Sequence, residues 1–147
     1  MPPWPAMRVS LLLALLSLPA AAELKRLSIR FEPSDCAACT QSLPERLRRI
    51  RGVEAAALQP GQAPRLEVRF APGNRVRLSR VRETIEQDGT KWIEAAVEAS
   101  GLCERNGGGG LLKLFEGDSG IPVEGRFEPG PCSLSGTINA GGKLTAR

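Results

Sequence analysis

Leu27-Ser28-Ile29-Arg30-Phe31-Glu32-Pro33-Ser34-Asp35-Cys36-Ala37-Ala38-Cys39 is the stretch that decides how this chain reads. Leu27, Ile29 and Phe31 alternate with Ser28, Arg30 and Glu32, the period of a strand with one buried face. Pro33-Ser34-Asp35 breaks that strand, and two cysteines follow, separated by two alanines. Leu43, Leu47 and Ile50 then recur at i, i+4 and i+7, one stripe of a helix, with arginines on the opposite face and Gly52 as its stop. The cysteines therefore fall at a strand-to-helix corner. Pro44 leaves two starts open for the helix. A start near Ala38 puts Cys39 in the first turn and loses the bond from position 44 to the Thr40 carbonyl. A start at Leu43, capped by Ser42 with Glu45 completing a capping box, leaves both cysteines in a loop.

Outward from that corner the pattern continues in a definite order. Val53 to Leu58 is an Ala-rich strand, and Pro60-Gly61-Gln62 is a turn. Leu66, Val68 and Phe70 alternate with Glu67 and Arg69 as a further strand. Leu78, Val81 and Ile85 mark a second amphipathic helix ending near Gly89, and Trp92 to Ala99 a last strand through Ile93, Ala95 and Val97. Strand, helix, strand, strand, helix, strand is the α+β, ferredoxin-like βαββαβ sandwich, a four-stranded antiparallel sheet with two helices on one face.

Beyond Gly101 the composition changes. Residues 102–110 read as a linker, and Gly107-Gly108-Gly109-Gly110 lacks the Lys-Ser/Thr that would make it a phosphate loop. Residues 111–147 hold four short strand-like runs separated by Gly- and Pro-rich turns, a small β-rich tail read as a meander. A Cys103–Cys132 disulfide would tie that tail to the end of the preceding domain, residues 23–101. Chain-entropy arguments put its worth at roughly 3 kcal/mol.

Residues 1–22 read as a signal peptide. Arg8 supplies the positive region, Val9 to Leu18 is an apolar run too short to span a bilayer, and Ala20-x-Ala22 is a cleavage site of small residues. Met7 is an alternative start that gives a more ordinary leader. The expectation is a periplasmic or secreted protein with no membrane anchor after cleavage. Four cysteines, at 36, 39, 103 and 132, remain in residues 23–147, and the chain has no His. Both methionines, Met1 and Met7, lie ahead of the cleavage point. The Cys sulfur is then the one soft ligand type, and Ser/His and Cys/His catalytic pairs are excluded. A net charge of +4 and 4% aromatic residues, with arginines beside Glu45, Glu83 and Glu86, indicate solvated helix faces rather than a nucleic-acid surface.

Three features carry a resemblance: Cys36-Ala37-Ala38-Cys39 after the first strand, Arg51-Gly52-Val53-Glu54 after the first helix, and Ile85-Glu86-Gln87-Asp88-Gly89 closing the second. Through them residues 27–101 resemble a heavy-metal-associated domain, the module of copper chaperones, copper-pump N-terminal repeats and periplasmic mercury-binding proteins. The resemblance implies a non-enzymatic carrier or scavenger that binds Cu(I) or Hg(II) between Cys36 and Cys39 and passes it to a membrane metal transporter or another envelope protein. It also makes Lys91, in the loop after the second helix, a candidate to stabilise a negatively charged bis-thiolate. Pro33-Ser34-Asp35 stands where the family has Gly-Met-Thr. Asp35 adds a negative charge that opposes thiolate formation yet favours a bound cation. Two rivals accompany the metal reading. The same spacing suits a thiol–disulfide oxidoreductase, and it suits a protein-interaction module whose cysteines form a structural disulfide.

Overall fold

Alternating apolar residues build the sheet and two apolar stripes cover it. The computed structural model describes residues 23–115 and 117–147. Strand β1 (Glu23–Glu32) is followed by helix α1 (Ala37–Arg48), strands β2 (Val53–Gln59) and β3 (Arg65–Phe70), helix α2 (Leu78–Glu86) and strand β4 (Lys91–Asn106). The antiparallel order β2-β3-β1-β4 is that of the ferredoxin-like sandwich. Leu27, Ile29 and Phe31 of β1, with Leu66 and Val68 of β3, are buried in one core with Leu43 and Leu47 of α1 and Val81 and Ile85 of α2. The opposite face of the sheet is polar, with Ser28 Oγ donating to Glu67 at 2.6 Å and Arg30 paired with Glu94 at 3.3 Å.

The turn out of α1 needs Gly52 for two reasons. Its φ is +102°, and a Cβ there would lie 2.8 Å from Val76 and 2.9 Å from Asn74. Asn74 is buried, and its amide donates to the Leu24 and Ala71 carbonyls at 2.8 Å each. This ties the loop before α2 to the start of β1.

The chain beyond Gly101 departs from a linker followed by a meander. Strand β4 continues to Asn106, and residues 102–106 pair with β5 (Gly109–Lys113), so the glycine-rich stretch forms a hairpin. Strands β6 (Ile121–Glu124), β7 (Gly130–Ile138) and β8 (Leu144–Ala146) follow. β5 pairs with β6, β6 with β8 in parallel, β8 with β7, and β7 returns to β4 through Ala95–Cys103. These five strands close on themselves as a small barrel, which leaves no free edge among them. Leu112, Val123, Leu134, Ile138 and Leu144 are buried inside, in the same core cluster as the sandwich. Gly101 stands where β4 leaves its pairing with β1 and takes up that with β5: a Cβ there would lie 2.2 Å from the Lys113 carbonyl oxygen. The β-rich appendage is thus distinct in topology but shares β4 with the sandwich.

A disulfide joins Cys103 of β4 to Cys132 of β7, and Cys103 is buried. It closes a 29-residue separation around most of the barrel. Replacing both cysteines with alanine should lower the unfolding free energy by about 3–4 kcal/mol. Urea denaturation of the two proteins measures this, and a loss below about 1 kcal/mol would show that the strands hold the barrel without the bridge.

Candidate functional site: the Cys36–Cys39 corner

Of the two starts open for α1, the structure adopts the earlier. Cys36 is the N-cap residue, with extended backbone (φ −91°, ψ 96°), and Ala37 begins the helix. The Cys36 sulfur accepts a hydrogen bond from the Cys39 amide at 3.2 Å, the bond that an N-cap oxygen usually makes. The Cys36 carbonyl accepts from the Thr40 amide, also at 3.2 Å. Pro44 lies inside the helix, where it removes the donor that would reach the Thr40 carbonyl. Two side chains support the preceding carbonyl, that of Cys39: Ser42 Oγ donates at 2.9 Å and Arg46 at 3.4 Å.

Arg46 also holds the corner from the side. Its guanidinium donates to the Thr84 carbonyl of α2 at 3.2 Å and to Asp88 at 2.6 Å. Asp88 accepts from the Thr90 amide at 2.9 Å and the Thr90 hydroxyl at 2.6 Å. Burial pushes the Asp88 carboxyl up, but the Thr90 hydroxyl and amide and the Arg46 charge together hold it below its ordinary value. The loop after α2 therefore packs against the cysteine loop, and a Cβ on Gly89 would lie 3.7 Å from Ser34. Sequence reading missed Arg46 and Asp88 as a pair. They are 42 residues apart, and only the packing of α1 on α2 brings them together.

Cys36 and Cys39 are joined as a disulfide, with Cα atoms 5.2 Å apart. This corrects the soft-metal expectation. A two-coordinate Cu(I) or Hg(II) site needs two free thiolates, and a disulfide sulfur is not one. Metal as cofactor or cargo and the carrier role, with a metal transporter as recipient, fall with the thiols. The expectation of a non-enzymatic protein is corrected on the same finding, because an oxidised C-x-x-C at a helix start is a reactant for disulfide chemistry. Asp35 and Lys91, the candidates around a metal, are both exposed. Comparison with protein-family models, curated proteins and solved structures returns no match. The expected membership in the heavy-metal-associated family is thus corrected, and what stands is the ferredoxin-like architecture itself.

The corner sets one pH dependence. Asp88 has a folded-state pKa below its unfolded value, so its contribution is complete above the unfolded pKa and is lost as pH falls through the folded one. Asp88→Asn should cost about 1–3 kcal/mol at pH 7 by leaving Arg46 unpaired. As pH falls through the folded-state pKa, which lies below the ordinary value of 3.8, the stabilities of variant and parent should converge. Urea titrations from pH 2 to 7 test this, and an equal difference at every pH would remove the carboxylate's charge from the account.

Proposed function

We propose that this chain is an exported thiol–disulfide oxidoreductase in which Cys36 is the exchanging sulfur and Cys39 its partner. The observation that carries the reading is the position of the Cys36 sulfur at the α1 N-cap, in hydrogen-bond contact with the Cys39 amide. A helix N-terminus lowers a thiol pKa, because its unpaired amides and the helix dipole favour the thiolate. The first turn of α1 holds no acidic residue, and the Asp35 carboxylate ahead of Cys36, which opposes the thiolate, is exposed to solvent screening.

The contrast between the two disulfides supports the assignment. Cys103 is buried and its bridge to the partly exposed Cys132 staples the paired strands β4 and β7, whereas Cys36 and Cys39 are both partly exposed, on either side of two exposed alanines. An incoming thiolate of a reduced protein attacks the Cys36 sulfur, the Cys36–Cys39 bond breaks, and Cys39 leaves as a thiolate. The substrate's second thiolate then attacks the substrate sulfur of the mixed disulfide and expels Cys36. Two electrons pass from the substrate dithiol to the pair, whose sulfurs end as thiols once the two substrate protons are transferred. The Cys39 amide that now meets the disulfide sulfur would stabilise the departing Cys36 thiolate. An exported address rests on the signal-peptide pattern of residues 1–22, which lie outside the described residues, and on the presence of two disulfides. Among the described residues no helix is long and apolar enough to cross a membrane.

Alkylation of the reduced protein should proceed at Cys36 with a half-maximal pH below the value of about 8.5 for a free thiol. Cys39→Ser should trap a mixed disulfide when its Cys36 thiolate attacks a disulfide-bonded peptide and expels one peptide thiolate, and Cys36→Ser should not. The reading fails if disulfide transfer to a reduced protein substrate is as fast with both cysteines replaced as in the parent.

A further inference from the structure

A second site lies away from the cysteine corner, between the first turn of α2 and the loop joining β5 to β6. It is a cavity of about 320 Å³, within the size range of small-molecule pockets. Its walls divide by chemistry. Arg77, Ser79 and Arg82 line the α2 side, and Trp92, Leu114 and Ile121 line the apolar side.

The polar wall consists of donors. Arg77 is the N-cap residue of α2 and supplies no side-chain cap bond. The Arg80 and Val81 amides both turn back to the Arg77 carbonyl, and the Leu78 and Ser79 amides stand at helix positions without an intrahelical acceptor. Among the described residues no carboxylate pairs with Arg77, whose guanidinium sits 5.7 Å from the Phe115 ring centre. Arg82 is held by Glu86 through Nε at 3.1 Å, so its terminal nitrogens remain as donors. A further donor comes from the apolar wall: Trp92 is 4% exposed, and its indole Nε1 has no acceptor among the described residues. Asp118 also lines the cavity, with its carboxylate accepting from the Leu114 amide at 3.0 Å.

We propose that this cavity binds a small organic carboxylate with an apolar body. The carboxylate lies against Arg77, the terminal nitrogens of the Glu86-paired Arg82 and the start of α2, where these donors and the helix dipole favour an anion against the single Asp118 carboxylate of the lining. The hydrocarbon lies against Leu114, Ile121 and the face of the Trp92 ring, and the carboxylate is the acceptor that the Trp92 indole Nε1 lacks. An inorganic anion would leave the apolar wall uncovered, and a neutral hydrocarbon would leave the donors unpaired.

Octanoate is a suitable probe, with Trp92 as the reporter. In the full chain carrying Trp4→Phe, octanoate should shift the single indole Nε1–H resonance saturably, with a Kd on the order of 0.1–1 mM. Octan-1-ol and inorganic phosphate should each bind at least tenfold more weakly. Arg77→Gln/Arg82→Gln should weaken octanoate binding about tenfold while leaving the thermal midpoint near that of the parent. Equal binding of octan-1-ol and octanoate would overturn the proposal, as would equal binding of phosphate or no saturable shift at all. These three comparisons use the parent chain, so they decide the matter even where the double variant fails to fold.

Discussion

Strand β4 is hydrogen-bonded along both of its edges, and that constraint places both halves of the molecule. Lys91–Ser100 pair with β1, Ala95–Cys103 with β7, and Leu102–Asn106 with β5. Trp92, Ala95, Val97 and Ala99 point into the core throughout. Unpaired backbone groups at these buried positions would be costly, so the barrel is bound to the sandwich edge by the ladder itself. This also explains how a barrel of such short strands holds together. It does not rely on a separate core, because Leu112, Leu134 and Ile138 join the cluster already formed by β1, β3 and the helices. Gly101 permits the arrangement, since no side chain could occupy the space taken by the Lys113 carbonyl.

The same sulfur chemistry has two environments in this chain. Cys103–Cys132 staples two adjacent strands, with one of its sulfurs in the core. Cys36–Cys39 closes the first turn of a helix, where the sulfur takes the place of a capping oxygen. In the first environment, reduction would release a constraint on the unfolded chain and nothing more specific. In the second, reduction would create a thiolate exactly where the backbone offers amides to receive it. The proposed function therefore rests on the position of the second pair rather than on its spacing.

Much of the sandwich is legible in the sequence because its signals are local. The alternation of Leu27, Ile29 and Phe31 and the stripe of Leu43 and Leu47 each report a buried face directly. The barrel is less legible for the opposite reason. β6 and β8 pair in parallel through Val123 and Leu144, a contact between short runs that no local pattern encodes. Gly107 to Gly110 has a linker's composition, yet it turns a hairpin whose register is set by Leu102–Asn106 across from Gly109–Lys113. At the site, spacing identified the sulfurs but not their bonding. Cys36-Ala37-Ala38-Cys39 places two sulfurs together in either oxidation state, and the environment of each state differs by electrons, not by residues. Arg46 and Asp88 were hidden because each looks like one more solvated charge on a helix pattern.

Those two residues explain how the corner keeps its shape despite Pro44. A proline in the second turn of α1 weakens the backbone ladder next to the cysteines, since the Thr40 carbonyl loses its donor. The Cys39 carbonyl is instead supported by Ser42 and Arg46, and Arg46 is fixed by Asp88 and the Thr84 carbonyl. Asp88 in turn is fixed by Thr90, one residue before β4 begins. The first turn of α1 is thus anchored through side chains to the strand that organises the whole molecule. An anchor of this kind holds the carbonyl of Cys39 without spanning the Cys36–Cys39 bond, so opening that bond breaks none of its links.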